Sequence, residues 1–383
     1  MRSSNREVDL NLKAVRKPLG LGTIIYIIVI FLGVLFRVGS YIQDRTLWYD
    51  EAMLASSIIQ RGFGGLFEPL DYSQSAPIGF LAIIKSLTIV LGNSQHVLRL
   101  YSLLTGILSI RLFYLLLRDS GFKRPLLGAA FYATVSPLIY YSTELKPYMQ
   151  DAFFTIAALY LYRLYVDRKL PVWVYMLFCF SAVWISFPVI FVLGAITFFN
   201  FLSGIVGFLV NLFVRSEEKH RENARRFISA IAFGATALIG FGVCYLVYTQ
   251  KVTGNIDGMS MEYWRHLNFP LFPKDQSDWD LIYLMLDNYL KFIFSDVYPL
   301  AIVLWIGGTL LLIVRKNSLA GYSLLAIIFT LIASYIEQYP IQDRLLLFLV
   351  PLAIIPMLFF VEVLLDLLSW KPFEVVVFIL VVA

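Results

Sequence analysis

Charged residues and cysteines are scarce in this chain of 383 residues. Asp, Glu, Lys and Arg make up 15% of it and apolar residues 59%, whereas about a quarter of an average soluble domain is charged. This composition excludes an ordinary soluble globular domain. The two cysteines, Cys179 and Cys244, both lie inside apolar runs, which indicates buried free thiols rather than a disulfide or a metal site.

Three further absences narrow the class of protein. No stripe of Lys and Arg is interleaved with exposed aromatic residues, so nucleic acid is not expected as a partner. The apolar segments do not alternate with polar residues as the strands of a membrane barrel would. No repeat of fixed period is visible, which makes a transporter built from inverted repeats less attractive.

Apolar runs of about 20 residues recur along the chain, each long enough to cross roughly 30 Å of hydrocarbon. The sequence therefore predicts an all-α polytopic membrane protein with a basic cytoplasmic N-terminus (1–18) and one transmembrane domain (19–383). The first run is too long for a signal-peptide core and is expected to be retained as an anchor. The last run stops after about ten residues, so we expect a truncated or partial helix there. The eleven predicted spans are 19–42, 97–117, 125–143, 150–166, 171–187, 189–214, 227–250, 297–314, 319–336, 345–367 and one beginning near 374.

The apolar segment 77–92 decides on which side the later loops lie. If it does not cross, most of the 31 Lys and Arg residues share the side of the basic N-terminus, as the positive-inside rule requires. If it crosses, most of them move to the other side. We therefore predict a surface helix at 77–92, an amphipathic helix at 50–61, and outer loops at 43–95 and 251–296.

An adjacent acidic pair, Asp50 and Glu51, follows the first span. Partial desolvation at a membrane surface raises the proton affinity of a carboxylate, which makes Asp50 a candidate general base. Trp48 and Tyr49 would seat the loop at the interface. The alternative interpretation is structural, because an acidic pair at the start of a helix complements the helix dipole.

The segment 140–151 forms a tight outer turn, because Pro147 forbids a continuous helix. Glu144, Lys146 and Asp151 in such a turn must face water or one another. Lys146 is a candidate for binding the phosphate of an anionic head group. The alternative is a lysine that reaches the interface and pairs with a carboxylate.

Arg344 stands at a predicted helix start on the outer face, where its guanidinium could bind two phosphate oxygens. The alternative is an interface anchor paired with Asp343. Arg99, at the start of the second span, is a weaker candidate for the same role. Arg37 and Arg111 lie inside predicted spans, so both need partners.

Taken in order, these features resemble the GT-C superfamily of membrane glycosyltransferases, in particular bacterial relatives of the protein O-mannosyltransferases and of the lipid A aminoarabinose transferases. The resemblance rests on the Asp-Glu pair after the first span, on the outer helix that begins at Pro77, and on a turn of the form Tyr-Tyr-Ser-x-Glu-x-Lys-x-Tyr. It covers residues 20–170. It implies a GT-C-like bundle of about 11 transmembrane helices, with amphipathic helices in the first outer loop.

The resemblance also implies a reaction. A sugar would pass, with inversion, from a polyprenyl-phosphate donor to an acceptor protein, lipid or glycan at the outer face of the bacterial cytoplasmic (inner) membrane. Relatives have Lys-Pro or Pro-Pro at the start of the surface helix where this chain has Ala76-Pro77, so other cations must contact the phosphate. The predicted site residues are Asp50 (base) and Glu51 (substrate placement) for catalysis, Lys146, Arg344 and Lys85 for the donor phosphate, and Glu144, Tyr148 and Asp151 in the second outer turn.

No cofactor is expected to be required. A divalent metal held by carboxylate oxygens suits the residue types but is not supported by their spacing, and the histidines are not spaced like metal ligands. The alternative function is a transporter or flippase for a lipid-linked glycan, which should carry paired ionisable groups at mid-bilayer depth. A structural assembly subunit without activity is a third hypothesis.

Overall fold

The computed structural model describes residues 21–214, 217–253 and 267–368. Helices joined by turns and irregular loops make up these residues, and no strand occurs among them. The predicted all-α class is therefore confirmed. The N-terminal segment 1–18, the last predicted span and part of the second outer loop, with Trp264 and His266, lie outside the described residues.

The α-helices are numbered in chain order. They are α1 (Leu21–Ile42), α2 (Tyr49–Gln60), α3 (Ile78–Leu91), α4 (Gln95–Asp119), α5 (Pro125–Thr134), α6 (Ser136–Tyr141), α7 (Tyr148–Val166), α8 (Val172–Ala182), α9 (Val189–Val214), α10 (Glu217–Cys244), α11 (Gln250–Thr253), α12 (Gln276–Phe294), α13 (Tyr298–Val314), α14 (Ser318–Tyr335) and α15 (Val350–Leu368). A π-helical turn, Tyr245–Thr249, joins α10 to α11, and 3₁₀ turns lie at Gly64–Phe67, Asp71–Ser73, Ser295–Val297 and Asp343–Leu349.

Within the described residues, seven helical segments are long and apolar enough to cross a membrane, so the chain is a multi-pass membrane protein. The predicted spans at 125–143, 150–166 and 171–187 correspond to helices that are shorter, broken or more polar. The segments that qualify are Gly22–Ile42, Gln95–Asp119, Val189–Asn211, Glu217–Val252, Gln276–Val314, Ser318–Tyr335 and Asp343–Leu367.

The predicted span at 125–143 is broken at Val135, and the sequence gives the reason. Pro137 has no backbone N–H, so it cannot donate to the carbonyl of Ala133 one turn earlier. The guanidinium of Arg37, on α1, donates to that carbonyl at 2.6 Å. Gly33 allows the approach, because a Cβ there would lie 2.6 Å from the same oxygen. The buried cation inside α1 thus binds backbone carbonyls rather than a carboxylate.

The first outer loop packs as a unit on one end of the bundle. Helix α3 has 14 residues and is about 21 Å long, which is too short to cross the hydrocarbon. Its apolar face shares a buried cluster with α2 and with Leu98 and Leu145, which lie near the start of α4 and in the turn before α7. This cluster holds α2 against the second outer turn, and the N-terminus of α2 carries the acidic pair.

Candidate active site

Asp50 lies in the first turn of α2 and faces two cations from distant parts of the chain. Its Oδ2 is 3.4 Å from Nζ of Lys146 and 3.3 Å from Nη1 of Arg344. The side chain of Asp50 is 23% exposed, so the carboxylate remains accessible. Three segments that are far apart in sequence therefore meet at one oxygen atom.

Gln74 completes this cluster. Its amide nitrogen donates to Oδ1 of Asp50 at 3.2 Å, and its amide oxygen accepts from Nζ of Lys146 at 2.8 Å. Just before it, Tyr72 and Ser73 both have φ between 50° and 60°, a region that side chains rarely adopt. This tight backbone turns the loop back toward α2. Nothing in the sequence pattern singled out Gln74, because a neutral amide in a loop gives no periodic or charge signal.

Lys146 is nearly buried, with 6% of its side chain exposed. Burial lowers its pKa, and the Asp50 carboxylate partly opposes that shift. Pro147, next in the chain, precedes the first residue of α7 and ends the turn where the sequence predicts. The lysine therefore points into the protein toward Asp50 rather than out into the interface.

Arg344 is the second residue of the 3₁₀ turn before α15. Its guanidinium lies 5.8 Å from the ring centre of Trp48 and 5.9 Å from that of Tyr148. Its Nε is buried and has no hydrogen-bond partner among the described residues. A planar cation held between two rings with a donor left over is suited to an incoming oxyanion.

Glu51 has a different environment from its neighbour Asp50. Its side chain is fully buried and accepts hydrogen bonds from both nitrogen positions of the Arg99 fork, Nε at 2.9 Å and Nη2. It also accepts from the backbone N–H of Leu145 at 2.7 Å. Its two oxygens are thus occupied by protein donors, and these contacts support a positioning role that ties α2 to α4 and to the second outer turn.

Glu144 forms a further ion pair, with Arg45 of the first outer loop. It accepts from Arg45 and, at 2.7 Å, from the indole N–H of Trp48. Burial raises the pKa of Glu144 to about 7, with a further rise from nearby Glu51, while Arg45 opposes the shift. Trp48, which the sequence predicts as an interface anchor, therefore also bridges Glu144 and Arg344.

Three other predicted site residues lie outside the Asp50 cluster. Lys85 donates to the backbone carbonyls of Ile58 and Ile59 at 2.9 and 3.2 Å. It thus caps the C-terminal end of α2, about 12 Å along the helix from Asp50. Tyr148 reaches the cluster only through the face it offers to Arg344. Asp151 is buried one turn further into α7, and its Oδ1 has no partner among the described residues.

The carboxylates of this region, Asp50, Glu51 and Glu144, are each paired with basic side chains of the protein. In the ranges that the structure describes, no three His, Cys, Asp or Glu side chains come together as metal ligands would. The cluster around Asp50 instead carries one carboxylate and two cations, and this excess of positive charge suits an anion.

The raised pKa of Glu144 makes a pH dependence testable. Between pH 4.5 and about 7, Glu144 keeps its proton in the folded protein, whereas in the unfolded chain it has lost it. The stability contributed by this proton is fully present below pH 4.5 and is lost as pH rises through 7. Between about pH 5 and 8, we expect the thermal midpoint of the wild type to fall more than that of Glu144→Gln. Equal falls would contradict the assignment, and the exposed Glu68→Gln variant is the control.

Three solved structures of the oligosaccharyltransferase of Archaeoglobus fulgidus share this fold. The apo form superposes with a TM-score of 0.56 and 13% identity, covering 93% of this chain and 54% of that protein. A complex with zinc and sulfate superposes with a TM-score of 0.54 and 15% identity, covering 92% of this chain and 51% of that protein. A form tethered by a disulfide to an acceptor peptide with the NVT sequon superposes with a TM-score of 0.55 and 13% identity. The match covers 93% of this chain and 53% of that protein.

The chain therefore spans about half the length of these neighbours. At such low identity the likeness is one of fold alone, and it agrees with the predicted all-α multi-pass architecture. No protein-family model and no curated protein matches the sequence.

Proposed function

We propose that this protein is a GT-C-type glycosyltransferase that takes a sugar from a polyprenyl-phosphate donor. The observation that carries the proposal is the meeting of Asp50 with Lys146 and Arg344 at a partly exposed end of the helical bundle. The arrangement supplies a base for an acceptor hydroxyl or amide and two cations for a departing phosphate.

The two cations and the carboxylate suggest how donor and base cooperate. In the described structure both cations face Asp50, so the carboxylate is occupied by them. A donor phosphate would share Lys146 and Arg344 through charge-assisted hydrogen bonds. Donor binding would thereby release Asp50 toward the acceptor.

The reaction then needs one proton transfer and one displacement. The acceptor O–H or N–H gives its proton to Asp50 as its heteroatom attacks the anomeric carbon. The bond between that carbon and the phosphate oxygen breaks, and its electron pair stays on the phosphate, where the two cations stabilise it. Attack from the side opposite the phosphate inverts the anomeric centre.

The surroundings of the cluster suit a lipid-borne donor. Tyr49 is 76% exposed beside Asp50, and Ile89 and Val90 on α3 are similarly exposed, as expected of residues that face an interface or lipid. We propose that this end of the bundle faces outward from a bacterial inner membrane, with the N-terminus in the cytoplasm. The fold neighbours have been solved with sulfate and with an acceptor peptide, and an anion and an acceptor are the two ligands that the proposed site needs.

A transporter or flippase is less well supported. Such a protein should carry paired ionisable groups at mid-bilayer depth. The buried Arg37 of α1 instead donates to the backbone carbonyls of Gly33 and Ala133, which is a structural role.

The proposal is tested by the affinity for the donor. Lys146→Gln and Arg344→Gln should each weaken binding of a polyprenyl-phosphate sugar by roughly tenfold or more, since each removes a charge-assisted hydrogen bond. Lys85→Gln is the matched control and should leave the affinity within about twofold, because the Lys85 ammonium contacts only helix carbonyls. A Lys85 effect as large as the other two, or no effect of either of those, would contradict the assignment.

A further inference from the structure

A polar cavity lies at the opposite end of the bundle from Asp50. It has a volume of about 840 Å³ and is bounded by the C-terminal end of α7, by α9 and α10, and by the turn between α13 and α14. Helix α7 begins beside the Asp50 cluster at Tyr148 and reaches the cavity at Tyr165. The two positions are seventeen helical steps, or about 26 Å, apart, so the cavity and the candidate active site are separated by a distance close to the thickness of the hydrocarbon layer.

The charged groups that line this cavity are predominantly basic. Glu222 is the one carboxylate among its described lining residues, and it pairs with Arg226. The side chains of Arg315 and Lys316 are exposed, with no hydrogen bond or ion pair to another described side chain. The basic lining residues are Arg163, Arg225, Arg226, Arg315 and Lys316.

Two of these cations are held in place by the protein itself. The guanidinium of Arg225 lies 4.9 Å from the ring centre of Tyr165 and donates to the Tyr165 carbonyl at 3.3 Å. Arg163 is paired with Asp167 at 3.0 Å, but its Nε is buried without a hydrogen-bond partner in the described parts of the chain. Cations that the protein already holds in place lower the cost of binding an oxyanion.

The rest of the cavity wall combines apolar and aromatic side chains with neutral polar ones. Leu116, Leu159, Phe199 and Leu324 line it beside Tyr162 and Tyr322, and the neutral polar residues are Ser120, Asn200, Ser203, Ser229, Asn317 and Ser318. A basic cavity whose wall also offers leucine and aromatic surface matches an amphiphile with a phosphate head group better than a fully soluble anion.

We propose that this cavity binds the phosphate head group of an anionic phospholipid of the leaflet opposite the candidate active site. The cations contact the phosphate oxygens, and the leucine and aromatic side chains contact the first segments of the hydrocarbon chains. The site is independent of the proposed transferase reaction, because it shares no lining residue with the Asp50 cluster.

Native mass spectrometry of the full chain in detergent tests this, with phosphatidylglycerol and phosphatidylcholine as probes. The wild type should retain phosphatidylglycerol preferentially. The double variant Arg315→Gln/Lys316→Gln should bind it about 25-fold more weakly, since each cation near an anionic lipid contributes about fivefold. The control is Arg118→Gln/Lys123→Gln, which removes two cations near the same end of the bundle that do not line the cavity, and it should bind like the wild type.

Each other outcome overturns the proposal. Equal retention of the two lipids would show that the head-group charge is not recognised. Unchanged phosphatidylglycerol binding in the Arg315/Lys316 double variant would place the lipid elsewhere. Displacement by inorganic phosphate or ADP, without selective lipid retention, would identify a soluble phosphate compound as the ligand. Thermal midpoints of both double variants identify any loss of folding, and Arg225→Gln then gives a second test of the same cavity.

Discussion

Asp50→Asn is expected to lower the turnover of sugar transfer by about 10²- to 10⁴-fold, the usual contribution of a positioned general base. Donor affinity should stay the same or increase, because the neutral amide no longer competes with phosphate for Lys146 and Arg344. Slower transfer together with undiminished donor binding is expected only if Asp50 is both the base and the counter-charge of the two phosphate-binding cations. The measurement is single-turnover transfer in vesicles whose outer face carries the site, together with donor titration.

The control for Asp50 is another aspartate of the same loop. Asp71 is paired with Arg61 at 2.6 Å and accepts from Ser57, and it contacts neither cation of the candidate site. Asp71→Asn should therefore leave turnover within about threefold. Near-wild-type turnover of Asp50→Asn in protein of normal thermal midpoint would remove Asp50 from the mechanism.

Glu51→Gln is expected to destabilise the folded protein rather than to abolish one chemical step. Arg99 is 4% exposed and Glu51 is fully buried, so the substitution leaves a guanidinium without its counter-charge. Breaking a buried ion pair in this way costs about 3–5 kcal/mol. Thermal unfolding in detergent should show a large fall in the midpoint, and transfer should fail because α2 loses its attachment to the second outer turn.

Two further variants separate a positioning Glu51 from a catalytic one. The double variant Glu51→Leu/Arg99→Met removes both charges, and we expect it to recover much of the stability and some of the transfer activity. Glu68 is exposed and lies 3.7 Å from Lys251. Glu68→Gln should therefore lower the free energy of unfolding by at most about 1 kcal/mol. A Glu51→Gln protein of normal stability but without activity would instead assign Glu51 to the chemistry.

Much of the fold could be predicted because its signals are local. Hydropathy marks the long helices, Pro147 marks the start of α7, and the segment 77–92 is too short to cross. Helix α12 (Gln276–Phe294) lies within a predicted outer loop, because Asp278, Asp280, Asp287 and Lys291 interrupt the run of apolar residues in the sequence. Helix ends marked by prolines or charges can thus be predicted from the sequence more easily than an amphipathic helix that lies among loop residues.

The candidate site was only partly visible in the sequence for a similar reason. Asp50, Lys146 and Arg344 stand out as charges at the ends of apolar runs, and the structure brings them together. Gln74 and Arg45 carry no such pattern, since their meaning depends on a loop conformation and on a partner a long way along the chain. Lys85 shows the opposite case, in which a conspicuous charge serves only to cap a neighbouring helix.

Arg37 in α1 and Pro137 at the break between α5 and α6 act together, although they are far apart in the sequence. A proline alone would leave a carbonyl of the bundle without a donor. Arg37 supplies that donor, and it also donates to the carbonyl of Gly33 in its own helix. Replacing Arg37 alone is therefore expected to uncover an unpaired backbone oxygen between α5 and α6, so the arginine and the proline are best engineered together.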